Sequence, residues 1–273
     1  MFLQCGKFQL SLARPLVMGV VNVTPDSFSD GGKYLDTRQA VAHARSLISE
    51  GADILDVGGE STRPGAQPVT LEDERRRVLP VIEALAGCGV PVSVDTQKPV
   101  VMREAVAAGA AMINDINAFS AAGALEAVVG SQVAVCFMHK QGDPQTMQRN
   151  PGYGDVLEEV LAYLQSRVAA AQRAGIARDR LVIDPGFGFG KSQQHNLALL
   201  RELKRFAALG LPVLAGLSRK SMLGTITGRE VGGRVFASVA AALIAVQNGA
   251  AIVRVHDVAA TRDALAVWDA IRN

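Results

Sequence analysis

The 273 residues predict a closed (β/α)8 barrel, the TIM barrel, with a short N-terminal hairpin. Three observations carry this expectation: eight short β-branched apolar runs, helical apolar spacing between them, and glycines where several helical segments stop. An open doubly wound sheet is built from the same units and is the competing arrangement. No linker or low-complexity tract divides the chain, and barrels of this type usually occupy about 250 residues. Residues 1–273 are therefore expected to form a single domain.

Residues 2–10 come first, split by Cys5-Gly6-Lys7, and their weak alternation fits a small hairpin across the barrel bottom. The apolar runs follow: LVMGVVN (16–22), DILDV (53–57), VPVSVD (90–95), AMIND (111–115), VAVCFM (133–138), LVIDPG (181–186), LPVLAG (211–216) and AAIVRV (250–255). They are apolar at successive positions, as strands buried on both faces of a parallel sheet are. Helical spacing marks 40–50, 74–86, 156–174, 195–210 and 236–246. Gly51, Gly87, Gly109, Gly175, Gly210 and Gly249 stand where a residue tolerant of positive φ closes a helix.

Apolar residues make up 49 % and charged residues 20 %, enough for a sizeable core and contrary to a disordered chain. A formal net charge of +2 is too small to predict a nucleic-acid or membrane partner, but it is compatible with a small anionic ligand. Cys5, Cys88 and Cys136 are odd in number and widely spaced, which fits neither a disulfide framework nor a thiolate zinc site. The start MFLQCGKFQL lacks the pattern of a secretory signal, and no apolar run reaches the ~18 residues of a membrane span. A cytoplasmic location is the resulting expectation.

In such a barrel the chemistry belongs at the C-terminal strand ends. Those ends are polar throughout: Asn22; Asp56 with Glu60, Ser61, Thr62 and Arg63; Asp95; Asn114 and Asp115; His139; Asp184; Ser218, Arg219 and Lys220; Arg254, His256 and Asp257. Any one of these alone is more often a cap or a loop residue. All eight ends together are hard to explain that way. Arg63, Lys220 and Arg254 beside Asn22 and Thr62 match phosphate oxygens, and a magnesium ion on an oxygen ligand would neutralise further charge. Solvated surface arginine is the competing reading for Arg63. Asp95, Asn114 and Asp184 present carboxylates and an amide that suit the edge of a flat heterocycle. Asp184 also fits a loop cap before Pro185. DPGFGFGKS (184–192) is not a Walker A loop, because Pro185 stands where the first glycine is required. Phe187 and Phe189 instead fit the lining of an aromatic ligand pocket. In LDVGGESTRPGA (55–66), Gly58 and Gly59 are expected to let the backbone turn at the rim.

The eight blocks MGVVNVTPDSFSDGG (18–32), LDVGGESTRPGA (55–66), SVDTQKP (93–99), INDI (113–116), MHKQGDPQTMQ (138–148), DPGFGFGKS (184–192), GLSRKSMLG (216–224) and RVHDV (254–258) stand in one order over nearly the whole chain. In that order the chain resembles the dihydropteroate synthases of the pterin-binding barrel family. The resemblance implies condensation of 6-hydroxymethyl-7,8-dihydropterin diphosphate with 4-aminobenzoate, releasing diphosphate, with Mg2+ as cofactor. It implies that Asp95, Asn114, Asp184 and Lys220 hold the pterin, with Met138, Phe187 and Gly216 shaping its slot. Asn22 resembles the Mg2+ ligand, and Asn22, Thr62, Arg63, Arg254 and His256 the diphosphate contacts. Phe28, Thr62, Pro64, Phe189, Lys220 and Ser221 resemble the 4-aminobenzoate pocket, which sulfonamides would share. Asp95, Lys220, Arg254 and His256 are the expected catalytic set. A homodimer through late-barrel helices is implied, and the long loops 23–33 and 61–69 are expected to order with ligand. A methyltetrahydrofolate-dependent methyltransferase and a non-catalytic pterin-binding protein are the alternatives.

Overall fold

The computed structural model describes residues 1–24, 33–61 and 65–272. A two-stranded antiparallel hairpin, β1 (Phe2–Cys5) and β2 (Phe8–Ser11), precedes β3 (Leu16–Asn22) and α1 (Lys33–Ser49). The alternation of strand and helix continues with β4 (Ile54–Gly58), α2 (Leu71–Leu85), β5 (Val92–Asp95), α3 (Pro99–Ala107), β6 (Met112–Asp115) and α4 (Glu126–Val129). Then come β7 (Ala134–Met138), α5 (Val156–Arg173), β8 (Leu181–Asp184), α6 (Gln193–Arg201) and α7 (Lys204–Ala207). β9 (Leu214–Ala215), α8 (Ser221–Thr227), α9 (Val235–Gln247), β10 (Ile252–Val255) and α10 (Val258–Arg272) finish the chain.

Strands β3 to β10 form one eight-stranded parallel sheet in the order β8-β7-β6-β5-β4-β3-β10-β9. A parallel bridge between Ile183 and Val213, with Ile183 N donating to Pro212 O at 3.1 Å, joins the two ends into a barrel. The eight runs thus become the eight barrel strands, and the open sheet is excluded. They are buried on both faces because helices cover the outside and side chains fill the inside. Two cores follow. The larger lies between sheet and helices; the smaller, inside the barrel, holds Met18, Ile54, Met112, Cys136, Val182, Leu214 and Ile252.

The hairpin closes the bottom of that inner core with Leu3 and Cys5, both fully buried. Its turn is at Gly6, in the left-handed region at φ 60°, and Gly6 N donates to Gln132 O at 2.9 Å. At the same end, Asp53 accepts from Val17 N at 2.8 Å and pairs with Arg14 at 2.7 Å and with Arg262 of α10, which joins the β3–β4 edge to the last helix.

The helices differ from their predicted spans where local capping overrides periodicity. Thr70 accepts from Asp73 N and starts α2 at Leu71, before the expected 74. The expected helix 195–210 is split into α6 and α7, and Asn248 Nδ2 takes Leu200 O at 2.8 Å, the carbonyl a continuous helix would use for Lys204. Gly51, Gly109, Gly175, Gly210 and Gly249 have positive φ as expected; Gly87 does not, and Gly89 takes that conformation instead. Gly58 and Gly59 are not left-handed either. A Cβ on Gly59 would stand 2.6 Å from Val78 Cγ1, so at the bend after β4 this glycine is required by the close approach of α2 rather than by a left-handed φ. Among the described residues, no helix is long and apolar enough to cross a membrane.

Candidate active site

Parallel register brings the predicted residues to one rim. Asn22 stands opposite Gly58, Gly58 opposite Asp95, Asp95 opposite Asn114, and Met138 opposite Asp184. From β10, Arg254 reaches inward, donating through Nε to Asp56 Oδ2 at 2.6 Å and through Nη2 to Asp95 Oδ2 at 3.0 Å. Asn114 Nδ2 donates to the same Asp56 oxygen at 3.2 Å. Burial opposes the Arg254 charge, but Asp56 and Asp95 outweigh it and push its pKa up. Burial pushes the Asp95 carboxyl up to about 7, even though Arg254 favours its charged form.

Three buried polar atoms in this web have no protein partner: Asp56 Oδ1, Ser93 Oγ and Asn114 Oδ1. Leaving such an atom unpaired costs about 1–3 kcal/mol. A ligand with matching donors would relieve that cost.

On the opposite wall, Asp184 Oδ1 accepts from Gly186 N at 2.7 Å, so the loop-cap reading of Asp184 holds alongside its place at the rim. Lys220, the residue before α8, donates to Phe187 O and lies with Nζ 4.9 Å from the centre of the Phe189 ring. Desolvation pulls its pKa down to about 8; Asp184 holds it up and Arg254 pushes it further down. A Cβ on Gly216 would lie 3.9 Å from both Lys220 Nζ and Arg254 Cβ, so the missing side chain leaves space between the two cations. The loop before Lys220 is set by α9: Ser238 Oγ accepts from Arg219 N at 2.9 Å, and Arg219 pairs with Asp257 at 2.6 Å. Arg219 is thus held away from the Lys220 role. His256 Nδ1 lies 3.0 Å from Ser218 Oγ.

Met138 is buried at the rim end of β7, and a Cβ on Gly186 would meet its Cγ at 3.3 Å. Phe187 departs from the expected pocket lining: its ring is fully buried in the outer core, and its carbonyl is the group presented to Lys220. Ser221 is exposed as the first residue of α8. Phe28, Thr62, Arg63 and Pro64 lie outside the described residues, as does most of the loop 23–33. Asn22 is half-buried at the end of β3. Among the described residues, no cluster of three or more His, Cys, Asp or Glu is arranged to hold a metal.

Sequence reading marked Glu60 and Asp115 at the rim but not the partners that hold them from behind. Lys98 pairs with Glu60 and, at 2.5 Å, with the fully buried Glu74, while Glu60 Oε1 accepts from Val69 N at 3.3 Å. One carboxylate thereby ties residue 60 to residue 69. Asp115 accepts from Asn117 N and Phe119 N, both at 2.7 Å, in a turn where Ala118 and Phe119 are left-handed at φ 49° and 55°. Arg167 donates to the carbonyls of both, at 2.8 and 2.7 Å. No side-chain spacing encodes these pairings, because most of their partners are backbone groups.

Residues 18–256 match the pterin binding enzyme family. The chain is 53 % identical over 275 residues to the dihydropteroate synthase of Neisseria meningitidis serogroup B, covering 98 % of this chain and 96 % of that protein. Its fold superposes on the dihydropteroate synthase of Xanthomonas albilineans, solved with 4-aminobenzoic acid, with a TM-score of 0.94, 56 % identity and coverage of 99 % and 98 %. The Burkholderia cenocepacia dihydropteroate synthase complexed with 7,8-dihydropteroate gives a TM-score of 0.91 at 52 % identity, covering 99 % of this chain and 96 % of that one.

Proposed function

The chain belongs to the pterin-binding enzyme family, and on that premise we propose that it acts as a dihydropteroate synthase in folate biosynthesis. The amine of 4-aminobenzoate attacks the methylene carbon of 6-hydroxymethyl-7,8-dihydropterin diphosphate, and a C–N bond forms as the C–O bond breaks. Diphosphate leaves with the electron pair, and the amine loses a proton. Such a displacement needs positioning and electrostatic stabilisation more than proton transfer.

The carrying observation is the set of unpaired buried atoms, Asp56 Oδ1, Ser93 Oγ and Asn114 Oδ1, on β4, β5 and β6, the strands whose Asp56 and Asp95 bond Arg254. A carboxylate oxygen, an amide oxygen and a hydroxyl left without partners suit the N–H-rich edge of a pterin. In this reading Asp95, Asn114, Asp184 and Lys220 hold the ring, while Met138 and Gly216 bound its slot. Arg254 and His256, with Asn22, Thr62 and Arg63, take the diphosphate. Lys220, Phe189 and Ser221, with Phe28, Thr62 and Pro64, take the 4-aminobenzoate.

Asn22 offers an amide oxygen next to the diphosphate, a hard donor of the kind Mg2+ accepts when phosphate oxygens and water complete its shell. The ion would neutralise charge on the leaving diphosphate. A cytoplasmic location agrees with the three free thiols, Cys5, Cys88 and Cys136. A homodimer is supported by the exposed apolar side chains of α9 and α10, among them Phe236 (87 % exposed), Val267 (62 %) and Ile271 (80 %).

The test is diphosphate release by the purified protein with Mg2+ and both substrates. Release is expected, falling at least 100-fold in Asp184→Ala and Lys220→Ala, as loss of one preorganised electrostatic group costs about that much. Pterin binding without diphosphate release would identify a binding protein instead.

A further inference from the structure

Lys191 has no part in the substrate contacts above, yet its side chain is only 2 % exposed. Its ammonium donates to Gly186 O at 2.9 Å, Phe189 O at 3.1 Å and His139 O at 3.3 Å, and lies 2.9 Å from His139 Nδ1. Burial pulls its pKa down to about 7 although Asp184 favours the charged form, and a buried ammonium is tolerated only when its protons are taken up in this way. Burial and the neighbouring Lys191 charge push His139 down to about 3, which leaves its imidazole neutral and Nδ1 able to accept.

The loop 186–190 has an unusual set of partners. Each of its five carbonyls accepts from a side chain: Gly186 O and Phe189 O from Lys191, Phe187 O from Lys220, Gly188 O from Gln148, and Gly190 O from Tyr153 at 2.9 Å. On its other side, Asn196 Oδ1 accepts from Gly188 N at 2.7 Å and Asn196 Nδ2 donates to Ser192 O at 2.7 Å. The loop lies flat on the chain after β7, where a Cβ on Gly186 would stand 1.8 Å from His139 O and one on Gly190 would stand 2.2 Å from Gln141 O. Two lysines therefore grip one loop. Lys220 takes it from the site and Lys191 from the interior.

Resting on the function proposed above, we propose that Lys191 is a positioning residue: by gathering Gly186 O, Phe189 O and the His139 backbone around one ammonium, it fixes the Phe187 carbonyl and the Phe189 ring that seat Lys220. Without those donors the carbonyls turn toward water, and Lys220 loses its direction toward the pterin while keeping its charge. The expected mark is a defect that operates through Lys220 and through nothing else.

The experiment is a double-mutant cycle on the Kd of 6-hydroxymethyl-7,8-dihydropterin diphosphate, followed by pterin fluorescence, with thermal unfolding alongside. Lys191→Met should raise Kd at least tenfold in the wild-type background and less than twofold in Lys220→Ala, since interacting groups are non-additive. Equal factors in both backgrounds, or a wild-type Kd with only a lowered melting temperature, would overturn the proposal. Should Lys191→Met fail to fold, Asn196→Ala loosens the same loop from outside. It should raise Kd about threefold, again only when Lys220 is present, and additivity there would be equally fatal. The cycle reads binding alone, so a chain that binds pterin but releases no diphosphate would end the synthase reading and leave this result standing.

Discussion

Lys220 sits among three neighbours of different chemistry: a backbone carbonyl, an aromatic face and a buried carboxylate. Its charge is the property most exposed to solution conditions, because burial has brought its pKa down to about 8. The group is protonated below that value and neutral above it. If the ammonium is what meets the substrates, the alkaline limb of kcat/KM for the pterin substrate should fall about tenfold per pH unit beyond about pH 8, reporting the free enzyme. Lys220→Gln should be slower throughout and should lack that limb. A wild-type profile that stays level to pH 10 would remove the ammonium from the reaction.

At the scale of the element, the hairpin β1–β2 shows what a short, weakly patterned segment contributes. Leu3 is fully buried against the inner core, so Leu3→Ala should destabilise the chain by about 2–5 kcal/mol in urea unfolding without changing KM for either substrate. A loss below about 0.5 kcal/mol would mean that the bottom is not sealed there. The barrel strands were legible because burial on both faces leaves uninterrupted apolar runs, and LVMGVVN reproduces β3 residue for residue. Helix ends were less so, since Thr70 and Asn248 act through hydrogen bonds that periodicity does not see. The same limit applies in the site. The polar strand ends marked Asp95, Asn114, Asp184, Lys220 and Arg254, but nothing in DPGFGFGKS marked Lys191, whose partners are mainly carbonyls, or the inward turn of the Phe187 ring. Pro185 stands where a Walker A loop needs glycine, and Lys191 binds the carbonyls of its own loop.

For the molecule as a whole, apolar filling at the bottom and charge at the top divide the work of stability from that of chemistry. A third region belongs to neither. Phe236, Ile244, Val267 and Ile271 expose apolar side chains on α9 and α10. Sedimentation at micromolar concentration should show a dimer, and Phe236→Glu with Val267→Glu should weaken it at least tenfold while the circular dichroism of the fold persists. A monomeric wild type would instead leave this face without a self-partner.

The barrel is not equally fastened all the way round. Seven seams are laddered by strand pairing, whereas β8 and β9 meet through the single bridge from Ile183 to Val213. Directly above that bridge the two sides are spanned by a side chain, Lys220 from the β9 side reaching Phe187 O on the β8 side. A pterin held between Asp184 and Lys220 would lie over the same gap. A substrate bonded to both residues would add a second span across the seam that the bridge and Lys220 already cross.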